Sequence, residues 1–190
     1  MPPEEFIIAL ESLKGQTFRP EFRVSQIPPP TKIAPWCVAL QVEMNATPEF
    51  HPKGYRGDAK FVVLYDPEGQ TAWDGTFRIV INGRAPVESE MGDDPLLGEV
   101  AWSWLTDALD TQGAAYHQLG GTVTRVFNET FGGLELSSAK IDVELRASWT
   151  PNTPYLTEHL MAWADFASQL AGFGPHSLDV APLPVKVAHL

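Results

Sequence analysis

Alternation between apolar and polar positions predicts much of the architecture. In "WCVALQVEM", Trp36, Val38, Leu40, Val42 and Met44 fall on one side, and Cys37, Ala39, Gln41 and Glu43 on the other. This is the period-two pattern of a half-buried strand. Two further strands are predicted over "AKFVVLYD" and "GTFRIVING", joined as a hairpin by the turn residues Asp66, Pro67, Glu68 and Gly69. "GTVTRVF" and "AKIDVELRASW" supply two more. The proline-rich "FRPEFRVSQIPPPTKIAP" reads as an extended, partly polyproline-like strap, because proline removes backbone donors.

A period near 3.6 replaces the alternation in three places. Pro2 to Leu13, closed by Lys14 and Gly15, predicts a short first helix; Asp94 and Pro95 open a second that ends at Gly113. Thr153 and Pro154 cap a third, which runs to about Ala171 and stops at Gly172. The order α-β-β-β-α-β-β-α predicts a two-layer α+β sandwich, with a five-stranded, mainly antiparallel sheet and helices on one face. Residues 1–173 read as one domain and 174–190 as a tail with no assigned element. The topology is similar to the type III secretion chaperone-like fold, and fold does not carry function.

The helix "GEVAWSWLTDALDTQG" holds two tryptophans at its apolar borders. At 100° per residue Trp102 and Trp104 lie roughly 160° apart, so they do not clamp one ligand; sealing the helix against the sheet is the favoured role. His159, among Tyr155, Trp163, Phe166 and Leu170 on the last helix, is predicted to be a neutral, hydrogen-bonded core imidazole.

Charge narrows the partners. A net charge of −11 repels phosphate backbones and anionic lipids, so neither direct nucleic-acid binding nor membrane association is expected. The basic run "HPKGYRGDAK", with His51, Lys53, Arg56 and Lys60, reads as a solvated loop, and its Arg-Gly-Asp triplet carries no weight. No stretch approaches the roughly 20 apolar residues of a membrane span. One cysteine, Cys37, and no basic, apolar leader point to the cytoplasm.

Catalytic patterns are missing: no nucleophile elbow, P-loop, dinucleotide fingerprint or metal-ligand spacing occurs. Neither a catalytic residue nor a metal or cofactor is therefore assigned. Two candidate sites remain. Val62, Leu64 and Val80 lie on the sheet face away from the helices, where an apolar patch would need covering by a second copy, another protein or the tail. Trp73, Asp74, Arg78, Trp102 and His117 form a candidate pocket, in which Arg78 would hold an anionic group.

The blocks "PPPTKIAPW", "DPEGQTAWDGTFR", "DPLLGEVAWSWLTDAL", "LGGTVTR", "FGGL" and "ASWTP" resemble an actinobacterial family catalogued as domain of unknown function three thousand. The resemblance runs from about Phe18 to Phe173. It implies a bacterial cytosolic protein and no activity, substrate or cofactor. It also implies a loose RNA-related context, through members encoded beside a ribonuclease D-like gene. The acidity of the chain would make any such role indirect, through a protein partner. The expected function is thus a non-enzymatic protein-binding or chaperone/adaptor-like module, as a homodimer or with a protein partner. The alternative is a small-molecule-binding protein or enzyme using the pocket.

Overall fold

The computed structural model describes residues 1–45, 55–133 and 141–173. Six strands form one antiparallel sheet: β1 (Phe22–Ile27), β2 (Trp36–Asn45), β3 (Tyr55–Gln70), β4 (Gly75–Val87), β5 (Tyr116–Phe127) and β6 (Ile141–Pro151). Their spatial order is β1-β2-β3-β4-β6-β5. The helices are α1 (Glu4–Leu13), the single turn α2 (Ser89–Gly92), α3 (Leu97–Thr111) and α4 (Thr157–Leu170).

The sixth strand corrects the expected five. Prolines flank β1 at 20 and 28–30, but none lies within Phe22–Ile27, so its backbone is free to pair with β2 from Phe22↔Met44 to Ile27↔Ala39. The "DPEG" segment is also not the hairpin turn. It forms an irregularity between Tyr65 and Gln70 inside β3, and the reversal comes later, at a 3-10 turn over Thr71–Trp73 followed by left-handed Asp74. Of the expected basic loop, His51 and Lys53 lie outside the described residues, as does the tail 174–190, whereas Arg56 and Lys60 lie within β3 instead of a loop.

One face of the sheet carries the core. Val38, Leu40, Val42 and Met44 of β2, Phe61 and Val63 of β3, Ile79 and Ile81 of β4, and Val143, Leu145 and Trp149 of β6 are all buried there. The helices pack on this side. Phe6 of α1 meets Trp36 and Tyr65, and Trp163 of α4 meets Phe61. Trp102 and Trp104 are half-buried against the same core, as the border reading required, whereas Val100 is exposed.

Both long C-terminal helices end as predicted. At Gly113 and Gly172, each left-handed, the following residue donates back to the carbonyls of Leu109 and Ser168, which satisfies otherwise orphaned acceptors. Their starts come later than predicted. Asp94 caps a turn by accepting the Leu96 amide, and Thr153 does the same for Tyr155, so the helices begin only at Leu97 and Thr157. Tyr155 therefore lies outside α4 and is exposed, in contrast to its expected place beside His159.

Close approach of α4 to the sheet depends on Gly83. A Cβ there would lie 2.7 Å from Leu170 Cδ2 and 3.0 Å from Phe166 Cε1. Gly98, inside α3, has nothing within 4 Å of such an atom. Gly83→Val should lower stability by about 2 kcal/mol or more through overpacking, while Gly98→Ala should raise it by about 0.5 kcal/mol through helix propensity. Urea denaturation of the two variants checks both signs.

Candidate functional site

The end of the β3–β4 hairpin, the start of β5 and the end of β6 converge on His117. The left-handed turn at Asp74 aims its carbonyl at the ring, and an irregularity between His117 and Gly120 breaks the β5–β6 register where the side chain emerges. Nε2 of His117 donates to the Asp74 carbonyl at 2.8 Å, Nδ1 meets Oδ1 of Asn152, and the Asp74 carboxylate lies 3.6 Å away. These oxygens favour the charged ring. The Asp74 carbonyl, followed by Asn152, holds the His117 pKa above its ordinary value. Beside it opens a cleft of about 350 Å³, lined by Glu5, Phe77, His117, Thr150, Asn152 and Thr153 among others.

Arg78 approaches the same group from the sheet. Its guanidinium donates to Thr150 Oγ1 at 3.0 Å and Ser148 Oγ at 2.8 Å, and burial pulls its pKa down. Thr150 in turn donates to the Trp73 carbonyl. Trp73, Asp74, Arg78 and His117 are thereby brought into one connected group, through Thr150, Ser148 and Asn152, which the sequence reading did not single out.

Trp102 does not join them. Strand alternation puts Arg78 on the face away from the helices, opposite Leu64. Trp102 comes down from α3 on the other face, where its ring sits over Gly121, the register partner of Ala147. The sheet itself separates the two side chains.

The arrangement binds chain segments together more than it prepares chemistry. Both ring nitrogens of His117 are engaged, which leaves no free base, and the Thr150 hydroxyl spends its proton on a backbone carbonyl. Burial raises the pKa of the Cys37 thiol, which faces the Ala34 carbonyl at 3.6 Å and so remains a weak nucleophile. Among the described residues no three histidine, cysteine, aspartate or glutamate side chains gather as a metal site, and no helix is long and apolar enough to cross a membrane.

Val62, Leu64 and Val80 do share the face away from the helices, with Val62 directly opposite Val80. Their exposures differ. Leu64 is 3% exposed, Val62 is half-buried, and Val80 is 37% exposed, so Val80 and Val62 carry what apolar surface this patch presents. Further along, the same face is polar and ion-paired, with Arg84 to Asp142 at 2.8 Å and Arg146 to Glu144 at 2.7 Å. Phe127, at the end of β5, and Phe131 just beyond it are large apolar side chains left exposed. Sequence offered no warning of them, since Phe127 fits the alternation of a covered strand.

His159 is a core residue. It is 2% exposed, and its Nδ1 accepts a hydrogen bond from the Trp149 indole at 3.0 Å. Burial lowers its pKa to about 4.

The model of one protein family, described as "Protein of unknown function (DUF3000)", matches residues 2–181. No curated protein and no solved structure matches the chain. The likeness to the secretion chaperone fold thus rests on the predicted element order alone.

The two histidines give opposite pH dependences. Unfolding frees His159 to take up a proton at its ordinary pKa near 6.5, so its contribution is complete above that pH and is lost as pH falls towards 4. The loss amounts to about 3 kcal/mol at about 1.4 kcal/mol per unit. His117 stabilises below pH 6.5 and loses that contribution as pH rises through its raised pKa, an effect reduced by its exposure. His159→Gln, which retains an acceptor for Trp149, should flatten the stability profile between pH 6.5 and 4. Chemical denaturation at pH 7, 5.5 and 4.5 measures the difference.

Proposed function

The chain belongs to the family described as a protein of unknown function (DUF3000), and from that premise we propose a non-enzymatic, cytoplasmic protein-binding module of the adaptor or chaperone kind. One contrast supports this reading. The polar groups that converge beside the cleft are consumed by one another, while Phe127 at the end of β5 and Phe131 beyond it stand 66% and 77% exposed. Exposed aromatic side chains of this size can serve as anchors for a partner. The net charge of −11 favours a basic partner and disfavours direct contact with nucleic acid or anionic lipid.

A homodimer across Val62 and Val80 is one form of this reading, and Val62→Asp with Val80→Asp would dissociate it. A second reading, a small-molecule-binding protein or enzyme, draws support from the cleft of about 350 Å³, a volume within the usual range of ligand sites. Of the residues expected in that site only His117 lines the cleft; Asp74, Trp73 and Arg78 stand behind it in the hydrogen-bonded group, and Trp102 lies elsewhere.

Crosslinking the tagged chain in its native cytosol, with a carboxylate-directed reagent and mapping of the linked residues, tests the proposal. A partner linked near β5 and α2 is the expected result. Absence of any intermolecular link, together with a metabolite-induced rise in Tm that His117→Ala abolishes, would replace it with the second reading.

A further inference from the structure

The position of β5 at the end of the sheet has a chemical consequence. One side of its backbone has no neighbouring strand among the described residues, so a row of N–H and C=O groups faces outward. Exposed edges are commonly blunted by proline, by charge or by a β-bulge. Beyond the irregularity between His117 and Gly120, from Gly121 to Phe127, β5 has no proline and no carboxylate, and Arg125 is its only charged residue. That arginine is committed to α2, donating to the Gly92 carbonyl at 3.0 Å.

Apolar groups follow the same border. Trp102 lies over Gly121 midway along the strand, and Phe127 closes its far end. Gly92 packs against Ile141, the register partner of Phe127, which sets α2 beside that end. The segment from α2 into α3 then exposes Met91, Leu96 and Val100. Glu88, Glu90, Asp93, Asp94 and Glu99 stand before and among them, with no lysine or arginine from 88 to 99. Over residues 88–131 the chain carries eight carboxylates and the single Arg125.

We propose that the β5 edge is a docking site for an extended, positively charged segment of another protein, which joins the sheet as a seventh strand. The inference rests on the protein-binding reading and names its partner's chemistry. Backbone hydrogen bonds to β5 would supply affinity in this mode, and alternate side chains selectivity. On the helix side of the sheet, alternate residues of the incoming strand would meet Trp102 and Phe127, and lysines or arginines flanking that apolar stretch would reach the carboxylates of 88–99. A second copy of this chain fits less well, because pairing β5 with β5 brings two such acidic regions together.

The test uses the full chain and a ten-residue peptide with valine and phenylalanine at its central alternate positions and lysines at both ends. Controls are the same peptide with glutamate for lysine, and two forms N-methylated at alternate backbone nitrogens, one in each frame. The lysine peptide should bind and protect amides between Thr122 and Val126 from hydrogen exchange. The glutamate peptide and one methylated frame should not bind. Glu90→Lys with Asp93→Lys and Glu99→Lys, all exposed, should weaken binding at least tenfold, and Phe127→Ser should weaken it without changing Tm. No binding, equal binding by both methylated frames, or protection elsewhere overturns the proposal. So does a dimer whose β5 amides are protected without peptide. These outcomes leave the protein-binding reading intact if crosslinking finds a partner at other residues; that reading falls only with the absence of any partner.

Discussion

The hydrogen bond from the Trp149 indole to His159 is the contact on which the two layers depend. Both groups are almost fully buried, so neither finds water if the bond is broken, and an unpaired donor there would cost about 1–3 kcal/mol. The bond fixes how α4 is rotated over the sheet. With His159 turned towards β6, Trp163 lies on Phe61, and Phe166 and Leu170 descend onto Gly83. Ser12 of α1 completes the seat by accepting the Leu156 amide at 2.8 Å and receiving the Thr157 hydroxyl on its carbonyl.

The opposite face and the margins of the sheet follow different rules. Away from the helices, alternation leaves positions that the chain fills unevenly: ion pairs at one end, small and aliphatic residues at the other. Arg78 sits at the transition, its charge met by two hydroxyls and by no carboxylate among its bonded partners. The two edges are also unequal. β1 has six residues, while β5 has twelve and adjoins the most acidic part of the chain.

The central strands were legible because each buries one face, so its inward residues repeat every second position. This is why Trp36 to Met44 and Ile141 to Trp149 read clearly. β1 was hidden because its six pairing residues lie between prolines that dominate the local composition. The helix stops at Gly113 and Gly172 were read correctly, since a left-handed residue there demands glycine locally. The helix starts were not, because an aspartate or threonine can cap a turn as well as a helix. Strand order lies beyond local pattern altogether. It decided that Trp102 and Arg78 fall on opposite sides of the sheet, that His117 meets Asp74, and that Phe127 stands at an edge. Deep placement of Leu64 was equally invisible, because alternation reports which face a side chain takes and not how far that face is covered.

The irregularity between Tyr65 and Gln70 separates two tasks that a tight hairpin would combine. Regular pairing from Asp58↔Arg84 to Tyr65↔Phe77 aligns β3 with β4, and the turn at Asp74 serves the His117 cluster. The residues between them, Asp66 to Gly69, belong to neither ladder. Chain can therefore be gained or lost there without sliding Val62 past Val80. The hairpin contains a length buffer, which lets its tip and its body diverge independently.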